Sequence, residues 1–419
     1  MEVFAEGKEG KEGGQEDDAG AGEAPATSNV ALLPDHMIGE IIDRTHGHDL
    51  LAFLSSCKTF KRVLALDPAR EVKPPPGAHV VTSLALLEWA IENGWAWPTK
   101  NMWGDVDRFA ACKLAAEGGC TAVLQRARAD GCEWSVRVSS CAAQGGHLEM
   151  LTWAHANGCP WDESTCSMAA IGGQLECLEW ARDNGCPWDE RTCSNAALKG
   201  HLDLLKWARA NDGPWNVYTC TNAASGGQLE CLKWARANGC LWDEYTCSDA
   251  ARGGHLEVLK WARTNGCPWN ENTCSKAAEH GHLECLKWLR ANGCPWSEWT
   301  CIHAANGGHL KCLKWAHDNG CQWDEYTCSN AAGGGHLEVL KWAHAHGCPW
   351  NEKTCTYAAE EGRLECLKWA RDNGCPWDAT TVRAAEEAGH DHVTEWARAN
   401  ECPEPEDSDE EDDDKRTRS

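Results

Sequence analysis

The sequence has few aromatic residues other than tryptophan, and this imbalance is the first guide to its organisation. Its 419 residues include four phenylalanines, four tyrosines and five methionines, but 25 tryptophans. A single aromatic type used so often indicates one structural role that is copied many times along the chain. We therefore expect a repeat architecture rather than one large core.

Long apolar runs and an excess of positive charge are also missing. No apolar run approaches the roughly 18 residues that a membrane span needs, and the N-terminus lacks the apolar core of a signal peptide. The formal net charge of −25 argues against nucleic acid or an anionic membrane as the main partner, because phosphate contacts need a basic face. We expect a cytoplasmic protein, with the nucleus as an alternative.

The 27 cysteines contain no CxxC pair, which structural zinc sites usually use. Cys177 and Cys231 occupy a repeated position that other units fill with Leu204 or Val258, and the cysteine of the "TC" series becomes Val382. Because these hydrophobes cannot bind metal, we predict buried thiols and no metal or cofactor. A zinc-binding Cys/His protein is the minor alternative.

The repeated histidines are predicted to be structural as well. A histidine precedes the "L-E" segment in six units, but Gln174, Gln228 and Arg363 stand at the same position in others. A general base is used once per active site, so a residue repeated in this way indicates hydrogen bonding at a turn. No nucleotide-binding, nucleophile or metalloprotease motif is present, and we expect no enzymatic activity.

Tryptophan recurs at intervals of 27 residues from Trp153 to Trp396, and a second series runs from Trp134 to Trp377 with the same interval. We count about twelve units, each predicted to form two helices. The segment "HLEVLKWARTN" has one apolar face, and Gly266 follows it as a left-handed cap. Asn270 is the predicted N-cap of the second segment, "ENTCSKAAE".

These segments resemble ankyrin repeats over residues 84–400. "GHLEVLKWARTNGC" is similar to the second helix of that repeat, GHxxVVxLLLxxGA, and "TCSxAA" is similar to the TPLHxAA start of its first helix. The resemblance implies an all-α, ankyrin-like α-solenoid of helix-turn-helix units that binds proteins on its concave face. It also implies that both tryptophan series are buried. Units of 27 rather than 33 residues lack the segment that forms the projecting finger in ankyrin repeats.

The segment from Leu32 to Leu64 does not follow the repeat and resembles an F-box, the helical module that docks on Skp1-type adaptors of ubiquitin ligases. This resemblance implies that an adaptor would contact seven apolar or proline residues: Leu33, Pro34, Ile38, Ile41, Leu50, Leu51 and Phe60.

The predicted organisation has five parts. They are a disordered acidic N-terminus (1–29), a small helical F-box-like module (30–72), a proline-rich linker (73–78), the ankyrin-like array (79–400) and a disordered acidic tail (401–419). Ser408, in the tail, precedes three acidic residues and resembles a site for an acidophilic kinase.

Positions that differ between units are the candidates for partner recognition. In the first helix of each unit they share one face, because they are spaced i, i+4 and i+7. We call the following ten residues the variable stripe and predict that they bind a protein partner: Tyr218, Asn222, Tyr245, Asp249, Lys276, Trp299, His303, Tyr326, Asn330 and Tyr357. The alternative is a set of tolerant surface positions.

The sequence therefore predicts a non-enzymatic protein-protein interaction scaffold. The finer hypothesis is a substrate receptor of an SCF-type ubiquitin ligase, in which the F-box-like module binds the adaptor and the array binds the target. The alternative is a plain ankyrin-repeat scaffold with no link to ubiquitin.

Overall fold

The computed structural model describes residues 110–404. The predicted N-terminus, F-box-like module with its seven adaptor-binding residues, linker and first part of the array lie outside these residues, as do Ser408 and the rest of the tail from residue 405. The described part is all helical and has no β-strand. The prediction of an α-solenoid without ankyrin fingers is therefore confirmed for residues 110–404.

Eleven pairs of helices follow one another in this range, and each pair corresponds to one sequence unit. In chain order they are α1 Ala110–Glu117, α2 Thr121–Ala129, α3 Val136–Gly145, α4 Leu148–Ala156, α5 Glu163–Gly172, α6 Leu175–Asp183, α7 Glu190–Lys199, α8 Leu202–Ala210, α9 Val217–Ser225, α10 Leu229–Ala237, α11 Glu244–Arg252, α12 Leu256–Thr264, α13 Glu271–Glu279, α14 Leu283–Ala291, α15 Glu298–Asn306, α16 Leu310–Asp318, α17 Glu325–Gly333, α18 Leu337–Ala345, α19 Glu352–Glu360, α20 Leu364–Asp372, α21 Ala379–Glu387 and α22 Asp391–Ala399.

Local chemistry sets the helix boundaries. The Asn270 side chain accepts a hydrogen bond from the backbone N–H of Asn272 at 3.0 Å, which satisfies one of the free amides at the start of α13. After each even-numbered helix the chain turns through a residue with positive φ, such as Gly266 at +87°. Both the predicted N-cap and the predicted left-handed cap are confirmed.

The core consists of small residues and leucine. Each odd-numbered helix packs along the next odd-numbered helix, whereas consecutive even-numbered helices make fewer contacts. Cys274, Ala277, Ala278 and Leu259 are completely buried, and Val382 fills the cysteine position in α21. Alanine and cysteine allow close approach between helices, and each buried leucine contributes about 1.5–3 kcal/mol. The predicted burial of these cysteine series is confirmed.

The expectation that both tryptophan series are buried in the core is wrong, because the indoles are only half-buried. Each tryptophan that follows the turn after an even-numbered helix instead packs edge to face against a second tryptophan, which lies in the next even-numbered helix. The ring centroids of these pairs, from Trp134–Trp153 to Trp377–Trp396, are 5.8–6.0 Å apart. We call this row of pairs, with the arginine or histidine that stacks on each pair, the tryptophan ladder.

A cation or an imidazole covers the other side of most tryptophans in the ladder. The guanidinium carbon of Arg263 lies 4.1 Å from the centroid of Trp269, and the ring of His344 stacks on Trp350 at 3.7 Å. Such contacts stabilise a half-buried indole beyond its apolar area. The ladder therefore joins successive units at the border of the core, not within it.

The turn between α8 and α9 departs from the repeat. Asp212 occupies the left-handed position, with φ of 60°, that glycine fills after every other even-numbered helix except the last, where Glu401 adopts it. Gly213 stands where the other units have a cysteine, which is buried in all of them but the first described one. A Cβ atom at Gly213 would come within 2.6 Å of the Ala208 carbonyl oxygen, so the backbone here leaves no room for the usual side chain.

Candidate protein-binding surface

Four aromatic members of the variable stripe lie at the second residue of odd-numbered helices, the N2 position: Tyr218, Tyr245, Trp299 and Tyr326. Tyr218 and Tyr245 are each 61% exposed, and Trp299 is 51% exposed. Exposed aromatic side chains of this size are unusual on a soluble surface and are enriched where proteins bind one another. The three residues occupy the same position in three odd-numbered helices, α9, α11 and α15.

The helix start fixes the direction of the N2 side chain. The Asp243 carboxylate caps α11 by accepting a hydrogen bond from the backbone N–H of Tyr245 at 3.1 Å. Thr246 and Cys247, the next two residues, are buried against neighbouring units. Because Thr246 and Cys247 face the core, the side chain of Tyr245, which precedes them in the same helical turn, points to solvent.

Tyr326 differs from the other aromatic N2 residues because a cation covers it. The Lys353 ammonium donates a hydrogen bond to the Tyr326 hydroxyl at 2.7 Å and lies 4.6 Å from the ring centroid. Lys353 is the N2 residue of the next odd-numbered helix, α19. The side chain of one unit therefore reaches its counterpart in the preceding unit.

The other members of the variable stripe form a half-buried row at the sixth residue of odd-numbered helices. This row contains Asn222, Asp249, Lys276, His303, Asn330 and Tyr357. Burial raises the pKa of Asp249, although Arg252 at 3.3 Å partly opposes the rise.

Lys276, Glu279 and His303 form a small charged cluster within this row. The Lys276 ammonium lies 2.7 Å from a Glu279 carboxylate oxygen, and His303 Nδ1 lies 3.7 Å from the same atom. Burial opposes ionisation of Glu279, but the Lys276 hydrogen bond and the neighbouring His303 hold its pKa below the usual value. Burial lowers the pKa of His303.

The structure thus places all ten residues of the variable stripe on the odd-numbered helices, and three of the aromatic ones are more than half exposed. Their role in binding stays a prediction. Sequence reasoning missed the N1 position, which precedes N2 and carries a glutamate in most odd-numbered helices. The signal was present, because the same residue recurs every 27 residues beside the variable aromatic positions.

The histidines before the even-numbered helices make the predicted hydrogen bonds at a turn, but to the preceding unit. His255 Nε2 lies 3.0 Å from the Ser225 carbonyl oxygen, and His336 Nε2 lies 2.9 Å from that of Asn306. Arg363 replaces histidine in one unit and donates to the Gly333 carbonyl at 3.1 Å. A residue that can be exchanged for arginine in this way acts in unit stacking.

The thiols of the core have the properties of packing residues. Burial raises the pKa of Cys285 and Cys312 to about 11, so they are protonated at neutral pH. Between residues 110 and 404, no group of three or more His, Cys, Asp or Glu side chains is arranged to hold a metal ion. None of the helices in the same range is long and apolar enough to span a membrane.

Comparison with known proteins agrees with the repeat identified in the sequence. Residues 274–317 match the family described as ankyrin repeats (many copies). No curated protein matches the chain.

Among solved structures, the human ASB11 ankyrin repeat domain is 18% identical, with 38% of this chain and 84% of that chain covered and a TM-score of 0.32. The pentatricopeptide repeat protein PPR10 in complex with an 18-nt psaJ RNA element is 15% identical, with 88% of this chain and 63% of that chain covered and a TM-score of 0.35. Both TM-scores are below 0.5 and carry no functional conclusion. The match over residues 274–317 is to ankyrin repeats, which indicate a protein–protein interaction scaffold and are typical of non-enzymatic proteins.

Proposed function

We propose that the chain binds a partner protein along the variable stripe. The observation that carries this proposal is the exposure of Tyr218, Tyr245 and Trp299 on one face of the odd-numbered helices. Aromatic side chains that stand on a rigid helical scaffold lose little conformational entropy on binding, and such residues often supply most of the binding energy. The resemblance to ankyrin repeats would place this face on the concave side of the array.

Replacing these aromatics tests the proposal. The variant Tyr218→Ala/Tyr245→Ala/Trp299→Ala is expected to lose the proteins that the full-length chain retains in affinity purification followed by mass spectrometry. Its melting temperature should be unchanged, because the side chains are exposed. Leu241→Ala is a matched control, since Leu241 is 68% exposed but does not belong to the variable stripe. Retention of the same proteins by the triple variant would refute the proposal.

The finer proposal is that the chain is a substrate receptor of an SCF-type ubiquitin ligase. It is supported by the F-box-like sequence from Leu32 to Leu64, in which Leu33, Pro34 and Phe60 would contact a Skp1-type adaptor in the cytoplasm or nucleus. A purified adaptor should bind the full chain but not a chain that lacks residues 30–64. Equal binding by the two proteins would favour a plain scaffold without a ubiquitin link.

A further inference from the structure

The N1 and N2 positions of odd-numbered helices form two neighbouring rows that run along the array. Arg191, at N2 of α7, shows how they meet: its Nη2 lies 3.2 Å from the Glu163 carboxylate, at N1 of α5. The N2 position of α7 is therefore a neighbour of the N1 position of the preceding unit, and the repeat gives the other units the same pair of positions. The equivalent pairs of positions in later units are Trp299 with Glu271 and Tyr326 with Glu298.

Several N1 glutamates are available for an external cation. We call Glu190, Glu244, Glu271 and Glu298 the carboxylate row. Among residues 110–404, no lysine, arginine or histidine nitrogen lies within ion-pair distance of these four carboxylates. A glutamate at N1 also stabilises the helix, because its negative charge interacts favourably with the positive end of the helix dipole. This interaction leaves its carboxylate oxygens able to pair with an external cation.

The chain itself shows which group these rows bind. A cation occupies N2 in three odd-numbered helices, and neighbouring residues hold two of them, Arg191 and Lys353; the third, Arg137, follows a unit with Ala110 at N1. Arg191 contacts Glu163 and Asp189, whereas Lys353 contacts the hydroxyl and the ring face of Tyr326. Within residues 110–404 no lysine or arginine covers the rings of Tyr218, Tyr245 or Trp299, and the units before Tyr218 and Trp299 carry Glu190 and Glu271 at N1.

Like charges near these rows favour the same ligand. The pKa of Asp324, the N-cap of α17, is raised by burial and further by the neighbouring carboxylates of Glu325 and Glu298, although hydrogen bonds to the capped helix partly oppose the rise. A positively charged occupant would relieve this repulsion, and an acidic one would increase it.

We infer that the occupant of this surface is an extended segment of a partner protein rich in arginine or lysine. Its cationic side chains would lie on the rings of Tyr218, Tyr245 and Trp299 and pair with the carboxylate row. Packed helices are about 8–10 Å apart, and an extended chain advances about 3.3–3.6 Å per residue. One cationic residue in roughly every three would therefore match the repeat. This inference rests on the proposed protein-binding function and specifies its partner.

Selection from a displayed library of random 12-residue peptides tests the inference. The full-length protein is the target, and the variant Tyr218→Ala/Tyr245→Ala/Trp299→Ala is used for counter-selection. We expect enrichment of peptides rich in arginine and lysine. Their affinities, measured by fluorescence anisotropy, should fall at least tenfold for Glu244→Gln/Glu271→Gln/Glu298→Gln.

A matched control removes the same charge elsewhere. Glu230, Glu257 and Glu284 lie on even-numbered helices and pair with lysines, so Glu230→Gln/Glu257→Gln/Glu284→Gln should bind the selected peptides with unchanged affinity. Lys353→Ala should increase the affinity, because it frees Tyr326 and removes a positive charge. Circular dichroism melting verifies that each variant is folded.

The remaining outcomes separate the inference from the function on which it rests. Enrichment of neutral or acidic peptides that depend on the three aromatics would overturn the basic partner but support protein binding at the stripe. Equal loss of affinity in both glutamine variants would also overturn the inference, because it would reflect net charge rather than this surface. Peptides that bind without dependence on the aromatics would overturn both.

Discussion

The ring of His282 lies directly over Gly254 of the preceding unit. A Cβ atom at Gly254 would come within 2.5 Å of His282 Nδ1, and the φ of Gly254 is +72°. Gly266 has a similar φ of +87°, but nothing lies within 4 Å of its would-be Cβ. The two glycines therefore separate the cost of backbone strain from the cost of a steric clash between units.

Gly266→Ala should lower the free energy of unfolding by about 1–2 kcal/mol, which is the cost of a left-handed alanine. Gly254→Ala should cost about 1–3 kcal/mol more, because the added methyl group displaces the imidazole. Chemical denaturation of both variants measures the difference. In a His282→Ala background the two substitutions should have equal effects, and a persisting difference would contradict the proposed contact.

Stability should fall as the pH decreases below about 6.5, the ordinary pKa of histidine. Burial lowers the pKa of His282 and His309, and the neighbouring His280 lowers both further. The unfolded chain therefore binds protons at a higher pH than the folded chain. The stability that these groups contribute is present above pH 6.5 and is lost as the pH falls through their folded pKa values.

Thermal melts at pH 7.5 and pH 5 measure this loss. The variant His282→Gln/His309→Gln should have a weaker pH dependence, and Gln174 and Gln228 show that glutamine fits the position. His392→Gln, at an exposed position in α22, is the control and should retain the wild-type dependence. A steep dependence in the double variant would mean that other groups are responsible.

Cys274 should tolerate valine better than serine. Its side chain is completely buried, and Val382 occupies the equivalent site in α21. Cys274→Val should change the free energy of unfolding by less than about 1.5 kcal/mol, whereas Cys274→Ser should lower it by about 1–3 kcal/mol because a hydroxyl is buried. Urea denaturation compares them. A more stable serine variant would show that the thiol acts as a polar group.

The tryptophan ladder should make a graded contribution to stability. Arg263→Ala removes one cation–π contact and should cost about 0.5–1 kcal/mol. Trp269→Ala also removes the edge-to-face contact with Trp288, and should cost more than the arginine variant but less than the roughly 3–5 kcal/mol of a fully buried tryptophan. Urea denaturation is again the measurement. Equal costs for the two variants would contradict the ladder.

Features governed by local chemistry could be predicted from the sequence. Asn270 caps a helix because its side chain reaches the backbone N–H two residues later, and Gly266 ends one because it adopts a positive φ. Both depend only on neighbouring residues, so spacing was sufficient to find them. The repeat interval then extended these boundaries along the described array.

Features governed by the distance between units could not be predicted in the same way. The position of Trp269 relative to the core depends on how closely the odd-numbered helices stack, and the buried alanines and cysteines bring them close enough to leave the indole at the border. The contact between Tyr326 and Lys353 joins residues 27 positions apart. It follows only after the equivalent positions of consecutive units are known to be neighbours.

The irregular turn at Asp212 and Gly213 makes the joints of the array unequal. A repeat array is stabilised mainly by contacts between adjacent units, so its weakest joint determines where cooperativity breaks. An aspartate in the left-handed conformation and a missing thiol both weaken the connection between α8 and α9. On heating or mechanical stretching, the helices before this turn and those after it should therefore come apart as two separate blocks rather than as one.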